Sequence, residues 1–183
     1  MKNLKTYSNR VFIATSLDGY IADKEGNIDW LESIPNPDQL DLGYNDFISG
    51  VDALVMGRHT FETVCEFDID WPYSVPVFVL SNSLEEIPAA FSEHAQLVQG
   101  PLEAVLGGIR NQGYHQLYID GGSTIQGFLK ADLIDELIIT TIPVLLGGGI
   151  PLFTELSQRL SFELMDSRTY LGAMVQTHYR RKR

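Results

Sequence analysis

The sequence predicts an α/β protein: a three-layer α/β/α sandwich on a mixed, mainly parallel sheet with an antiparallel C-terminal edge. Three observations carry this. Apolar runs of strand length alternate with amphipathic stretches through most of the chain. Three of those runs end on small polar residues suited to a turn into a helix. The last two strand-like segments follow one another around Leu171-Gly172, the pattern of a hairpin.

Residues 11–15 (VFIAT) read as a buried strand, and SLDGYIADKEGNIDW follows as a loop with turns at Gly19 and Gly26, closed by Pro35 and Pro37. Residues 38–49 have helical spacing, with Leu40, Tyr44, Phe47 and Ile48 on one face. A strand over 51–56 leads into a short helix over 60–66, Trp71-Pro72-Tyr73 makes a turn, and 75–80 is a strand. Residues 84–88 read as a helical turn and 96–98 as a short strand. Residues 101–112 are helical, Pro101 suiting a first turn and Gly113 lying past the end. A strand over 116–119 passes through Asp120-Gly121-Gly122 into a helix ending near Lys130. Residues 137–142 form a strand, LLGGGIPLF a loop, and 161–168 with 173–180 the hairpin. With no internal repeat or linker, 1–183 reads as one domain.

Thirteen Lys and Arg face 24 Asp and Glu, a formal charge of -11, so nucleic acid and anionic membrane surfaces are not expected partners. The single Cys65 excludes an internal disulfide and a Cys-rich metal site, fits a reducing cytoplasm, and reads as packing. His59, His94, His115 and His178 are too scattered to suggest a metal site. MKNLKTYSNR lacks the apolar core of a signal peptide. No apolar run approaches the roughly 20 residues that span a bilayer. The terminal RRKR reads as a solvated tail, with a basic docking patch as the sharper alternative.

Ligands of open α/β sheets bind where strands deliver their carboxyl ends. Three such ends stand out: Gly57-Arg58-His59-Thr60, Ser81-Asn82-Ser83 and Gly121-Gly122-Ser123-Thr124. At the third, a glycine pair admits close backbone approach, and free N–H groups with the helix dipole favour an anion. A tight turn capped by Ser123 or Thr124, with no ligand, is the other reading. The first end adds a guanidinium matched to phosphate oxygens. Seven of the thirteen cations lie before residue 11 or after residue 179, and of the rest only Arg58 follows a strand end and opens a helix. No acid stands at Ser81-Asn82-Ser83 to meet a ribose 2′-OH, which favours a 2′-phosphate and hence NADP(H) over NAD(H).

VFIATSLDGYIAD, VMGRHTFETV, VFVLSNS, LYIDGGSTIQGFL and TIPVLLGGGIPLF, in this order, resemble the dihydrofolate reductase-like superfamily. Within it the chain is most similar to the C-terminal reductase domain of bacterial riboflavin biosynthesis (RibD) and its stand-alone relatives. The resemblance implies an eight-stranded mixed sheet, NADPH as hydride donor, a small-molecule heterocyclic substrate and a homodimer. By position it implies that Gly57, Arg58, His59 and Thr60 meet cofactor phosphates, that Ser81, Asn82 and Ser83 border the 2′-phosphate, that Gly121, Gly122, Ser123, Thr124 and Ile125 cradle the pyrophosphate, and that Ala14 and Ile21 line the nicotinamide.

Substrate candidates are Asp18, Trp30 and Tyr44, and the catalytic candidate is Asp41. Asp18 matches a loop that meets substrate in the riboflavin-type branch, or is a turn residue bonding its own backbone. Trp30 stacks on a flat heterocycle or covers core. Tyr44 lies on the apolar face of 38–49. Asp41 lies where a dihydrofolate reductase carries its acid. As a half-buried cleft acid it would have a raised pKa, and otherwise it is one more exposed carboxylate. The riboflavin-type substrate carries a phosphate, and Lys24 is the one cation in the N-terminal loops to meet it.

Overall fold

The computed structural model describes residues 7–183; the reading of the N-terminal segment as lacking a signal peptide falls mostly outside them. Ten strands and four α-helices follow in the order β1 (Ser8–Ser16), β2 (Tyr20–Ala22), α1 (Tyr44–Ser49), β3 (Ala53–Gly57), α2 (Arg58–Cys65), β4 (Val77–Leu80), β5 (Ala95–Val98), α3 (Leu102–Asn111), β6 (Gln116–Asp120), α4 (Gly122–Lys130), β7 (Glu136–Ile142), β8 (Ile150–Pro151), β9 (Phe162–Tyr170) and β10 (Met174–Arg181). Eight strands form one sheet in the order β5-β4-β3-β6-β1-β7-β10-β9, and β2 pairs with β8 apart from it. Pairings from β5 to β7 are parallel; β10 is antiparallel to both neighbours. The α/β expectation holds, antiparallel edge included.

Alternation within the strands sorts side chains onto two layers. Val55, Phe78, Leu117 and Ile119 pack under α3 and α4. Leu54, Met56, Val77 and Val79 pack with Phe47 of α1 and Phe61 of α2. Because both faces are covered, β3 is buried from Ala53 to Met56, which is why it reads as an unbroken apolar run.

The sequence overreaches at residues 38–49, where the helix is only Tyr44–Ser49. Gln39, Leu42 and Gly43 have positive φ, which no α-helix tolerates. Asn36 clamps Leu40 instead, its Oδ1 accepting the Leu40 N–H and its Nδ2 donating to the Leu40 carbonyl. Leu40, expected on the apolar face, is exposed. The helical turn expected over 84–88 falls instead at Ala89–Phe91. Strand β4 starts at Val77, not 75. Pro101 is the N-cap of α3 rather than its first residue. The LLGGGIPLF loop contains β8, which sequence reasoning missed because its partner is only the three-residue β2.

The solvated-tail reading of RRKR is also corrected. Arg181 lies 10% exposed against Asp132, and Arg183 pairs with Asp135. Acids clustered between α4 and β7 hold the terminus down.

Candidate active site

The C-terminal ends of β1, β3 and β6 open into one cleft of about 600 Å³. Gly57, Arg58, His59 and Thr60 line one wall, and Gly121 with Gly122, Ser123 and Thr124 lines another. Strand β3 pairs with β6 in parallel register, so both chains leave the sheet side by side and turn into helices at the same level. Neither α2 nor α4 has a side-chain N-cap. First-turn N–H groups have no intrahelical partner. Two such termini therefore turn their donors and positive dipole ends to one space.

The glycines serve this juxtaposition. A β-carbon on Gly57 would stand 2.7 Å from the Thr124 hydroxyl, and one on Gly121 would collide with that of Thr60. A β-carbon on Gly122 would come within 2.7 Å of Ile21 Cδ1. Glycine is needed here for corner to meet corner, a closer constraint than ligand approach alone. Ile125, expected with this group, is wholly buried and packs in the core beneath.

Arg58 stands at the rim with its side chain 36% exposed, and Glu62 one turn on lies 3.8 Å from its Nε. Gly57 is paired with Leu80, so Arg58 and Ser81 leave the sheet as neighbours. Ser81 itself is buried and committed to its turn, its Oγ accepting N–H bonds from Ser83 and Leu84. Asn82 accepts the Gly100 N–H. None of Ser81, Asn82 and Ser83 lines the cleft; they border its β4 side.

Ala14 and Ile21 line the cleft as expected. Ala14, with Ile13 and Leu31, also lines a second cleft of about 440 Å³ over β1 and β7. Its walls include Phe12, Ile34, Thr140, Ile142, Leu171 and Met174, with Glu32 and Asp41 at the edge. Sequence reasoning named only Asp41 among the residues that belong to this cleft alone. The rest come from β1, the loop after β2, β7 and the terminal hairpin, which only the folded sheet brings together. The Gln176 amide donates to Thr140 Oγ1 and to the Leu42 carbonyl, tying the strands to the loop.

Asp41 has the opposite character to a raised-pKa acid. It is exposed, and N–H bonds from Asn45, in the first turn of α1, and from Gly43, its N-cap, hold its carboxyl below the usual range. Asp18 is turned to the glycine loop: its carboxylate accepts N–H bonds from Leu146 and Gly147 and the Ser16 hydroxyl, which keep it ionised. Trp30 is buried against Ile142 and Met174. Tyr44 packs edge-on against Phe12, its hydroxyl pKa raised by burial and then by Asp120. Asp18, Trp30 and Tyr44 line neither cleft.

The acid that does face the first cleft is Asp120, read from sequence only as part of a turn. It is enclosed by protein except toward the cleft, and burial pushes its carboxyl up to about 6, against the opposing Gly121 N–H bond. Tyr73 joins it in the lining. A carboxylate ending a buried strand beside a glycine pair was the available signal.

Residues 10–175 match the model of the RibD C-terminal domain. The Bacillus subtilis protein YwjB is 36% identical over 171 residues, covering 92% of this chain and 95% of its own. A crystal structure from Shewanella sp. PV-4, of a protein named for riboflavin biosynthesis, is 55% identical with a TM-score of 0.94, covering 96% of this chain and 99% of that one. Dihydrofolate reductase from Enterococcus faecalis, solved with NADP(H), shares the fold at a TM-score of 0.66 and 19% identity, covering 96% and 97% of the two chains.

Proposed function

The chain belongs to the RibD C-terminal domain family, and on that footing we propose that it is an NADPH-dependent reductase of a small nitrogen heterocycle, a pyrimidine of the riboflavin pathway or a pteridine. The observation that carries the reading is the meeting of two clefts over Ala14, one walled by uncapped helix termini and Arg58, the other largely apolar. The donor set fits a dinucleotide: orphan N–H groups for the pyrophosphate and a guanidinium beside the β4 end for a 2′-phosphate. The NADP(H) held by the Enterococcus enzyme of the same fold supports the choice of cofactor.

The chemistry that bound NADPH supplies is hydride donation. The protein's own part is to position and to exclude water. Ala14, shared by the two clefts, and Ile21, in the first, give the cleft apolar walls that disfavour water. Burial lets Asp120, which lines the cleft, keep its proton up to about pH 6, well above an ordinary carboxyl, so that it can serve as an acid. This replaces Asp41 as the acid of the reading. The proposal treats residues 1–183 as one cytoplasmic domain acting as a homodimer, supported by the open edge of β9.

The test mixes purified protein with NADPH and either dihydrofolate or the deaminated ribosylaminopyrimidine phosphate, and follows loss of reduced-nicotinamide absorbance. Turnover supports the reading. Tight NADPH binding without turnover on a broad panel makes the chain a nucleotide-binding protein of this fold. Absence of NADPH binding refutes both.

A further inference from the structure

The second cleft has a one-sided electrostatic character. The charged side chains that line it are Glu32 and Asp41, and among the described residues no lysine or arginine does. Lys24, the one N-terminal cation read as a phosphate partner, is laid along the glycine loop: a β-carbon on Gly148 would fall on its Cε. It lines neither cleft. The neutral polar groups offer a dianion hydrogen bonds but no charge: Asn36 gives one amide N–H to Leu40 and Thr140 accepts from Gln176, which leaves a single amide N–H and a hydroxyl as donors. The two N–H bonds to Asp41 favour its ionised form, so the negative edge persists at neutral pH. Phe12, Leu31, Ile34 and Leu171 make the remaining wall apolar and suited to a flat ring.

We infer that this cleft takes an unphosphorylated flat heterocycle, neutral or cationic, and turns away substrates carrying a phosphate, with Glu32 and Asp41 as the discriminating residues. The inference rests on the reductase reading, because it assigns the second cleft to the substrate. A phosphate here would lie beside two carboxylates with no cation to pair it, an arrangement that like-charge juxtaposition disfavours. On this inference the substrate is the unphosphorylated counterpart of the pyrimidine phosphate used in the turnover assay, or a pteridine.

The experiment is a calorimetric titration of the full chain with 5-amino-6-ribosylaminouracil and with its 5′-phosphate, with and without saturating NADP. The expected result is at least tenfold tighter binding of the unphosphorylated compound, a gap that narrows severalfold in high salt. Charges separated by about 10 Å are largely screened at 0.1 M salt, so a steric preference would not respond this way. Glu32→Lys, on an exposed turn, narrows the same gap severalfold while NADP binding is retained. Equal affinities, tighter binding of the phosphate, binding of neither compound, or a gap indifferent to salt and to Glu32→Lys overturns the inference. A failure of the NADP titration alone overturns the reductase reading and leaves the comparison of the two compounds to decide this one.

Discussion

The hydroxyl of Thr60 stands too close to Gly121 for a β-carbon there, and that of Thr124 stands 2.7 Å from where one on Gly57 would be. Each corner supplies the threonine that the other corner's glycine accommodates. The two glycines nevertheless differ in backbone. Gly57 has a φ of -79°, open to any residue, whereas Gly121 has φ 89° and ψ 138°, outside the left-handed helical region and strained for any side chain by about 1–3 kcal/mol. Gly57→Ala is therefore a packing fault of about 1–3 kcal/mol, and adding Thr124→Ala should return part of the lost Tm. Gly121→Ala should stay destabilised when Thr60→Ala is added. Thermal melts of the four variants check this at about 2–4 °C per kcal/mol for a chain this size. Complete rescue at Gly121 would contradict it.

Among the described residues Arg58 is the arginine that lines the first cleft, and Glu62 lies 3.8 Å from its Nε. A hydrogen bond to a charged group is worth about 1.5–3 kcal/mol. Arg58→Ala should weaken NADPH roughly tenfold to hundredfold by calorimetry. NADH, lacking the 2′-phosphate, should lose much less. Equal losses would remove the 2′-phosphate assignment.

The sheet and the two glycine corners that line the first cleft were legible because their signals are local: apolar runs, a glycine at a turn, an arginine opening a helix. What escaped depends on distant contacts. Asp18 reads as a substrate contact or as a turn residue bonding its own backbone, yet its N–H partners Leu146 and Gly147 come from another loop. Residues 38–43 show helical spacing but are held by positive-φ positions and by Asn36. The second cleft is assembled from β1, the loop after β2, β7 and the terminal hairpin, which are distant in sequence. Its acid, Asp41, could be located but not characterised, because the N–H groups that depress its pKa belong to a helix that starts later than its pattern suggests.

Asp120 should give stability an unusual pH dependence. Its folded-state pKa, about 6, is raised above the ordinary 3.8 by burial. Its favourable contribution is thus complete below 3.8 and is lost as pH rises through about 6. The gap corresponds to as much as about 3 kcal/mol at about 1.4 kcal/mol per pH unit, reduced by its exposure to the cleft. Asp120→Asn, whose Oδ1 can still accept the Gly121 N–H, should melt higher than the native protein at about pH 8 and no higher at about pH 4. If the same variant also loses turnover, the proton it holds is used in the reaction. A constant Tm difference at both pH values would refute the titration.

Arg181 and Asp132 make the opposite case. Nε reaches one carboxylate oxygen at 2.7 Å and Nη2 the other at 2.9 Å, with the guanidinium side chain 10% exposed. Such two-point contacts are stronger than single ones. The fork holds the Asp132 carboxyl below its usual pKa and keeps the last residues of β10 against Ser161, whose carbonyl accepts from Nη1. A lysine cannot reproduce both bonds. Arg181→Lys should lose part, and Arg181→Ala about 2 kcal/mol or more, of unfolding free energy near neutral pH, the removal of one partner leaving a partly buried charge. A carboxylate whose folded pKa is depressed contributes above its unfolded value and ceases to as pH falls through the folded one. The denaturant midpoints of native protein and Arg181→Ala should therefore converge in acid, below the ordinary carboxylate range. A gap that stays the same there would mean that the arginine acts through its packing over Phe162, 5.8 Å away, and not through Asp132.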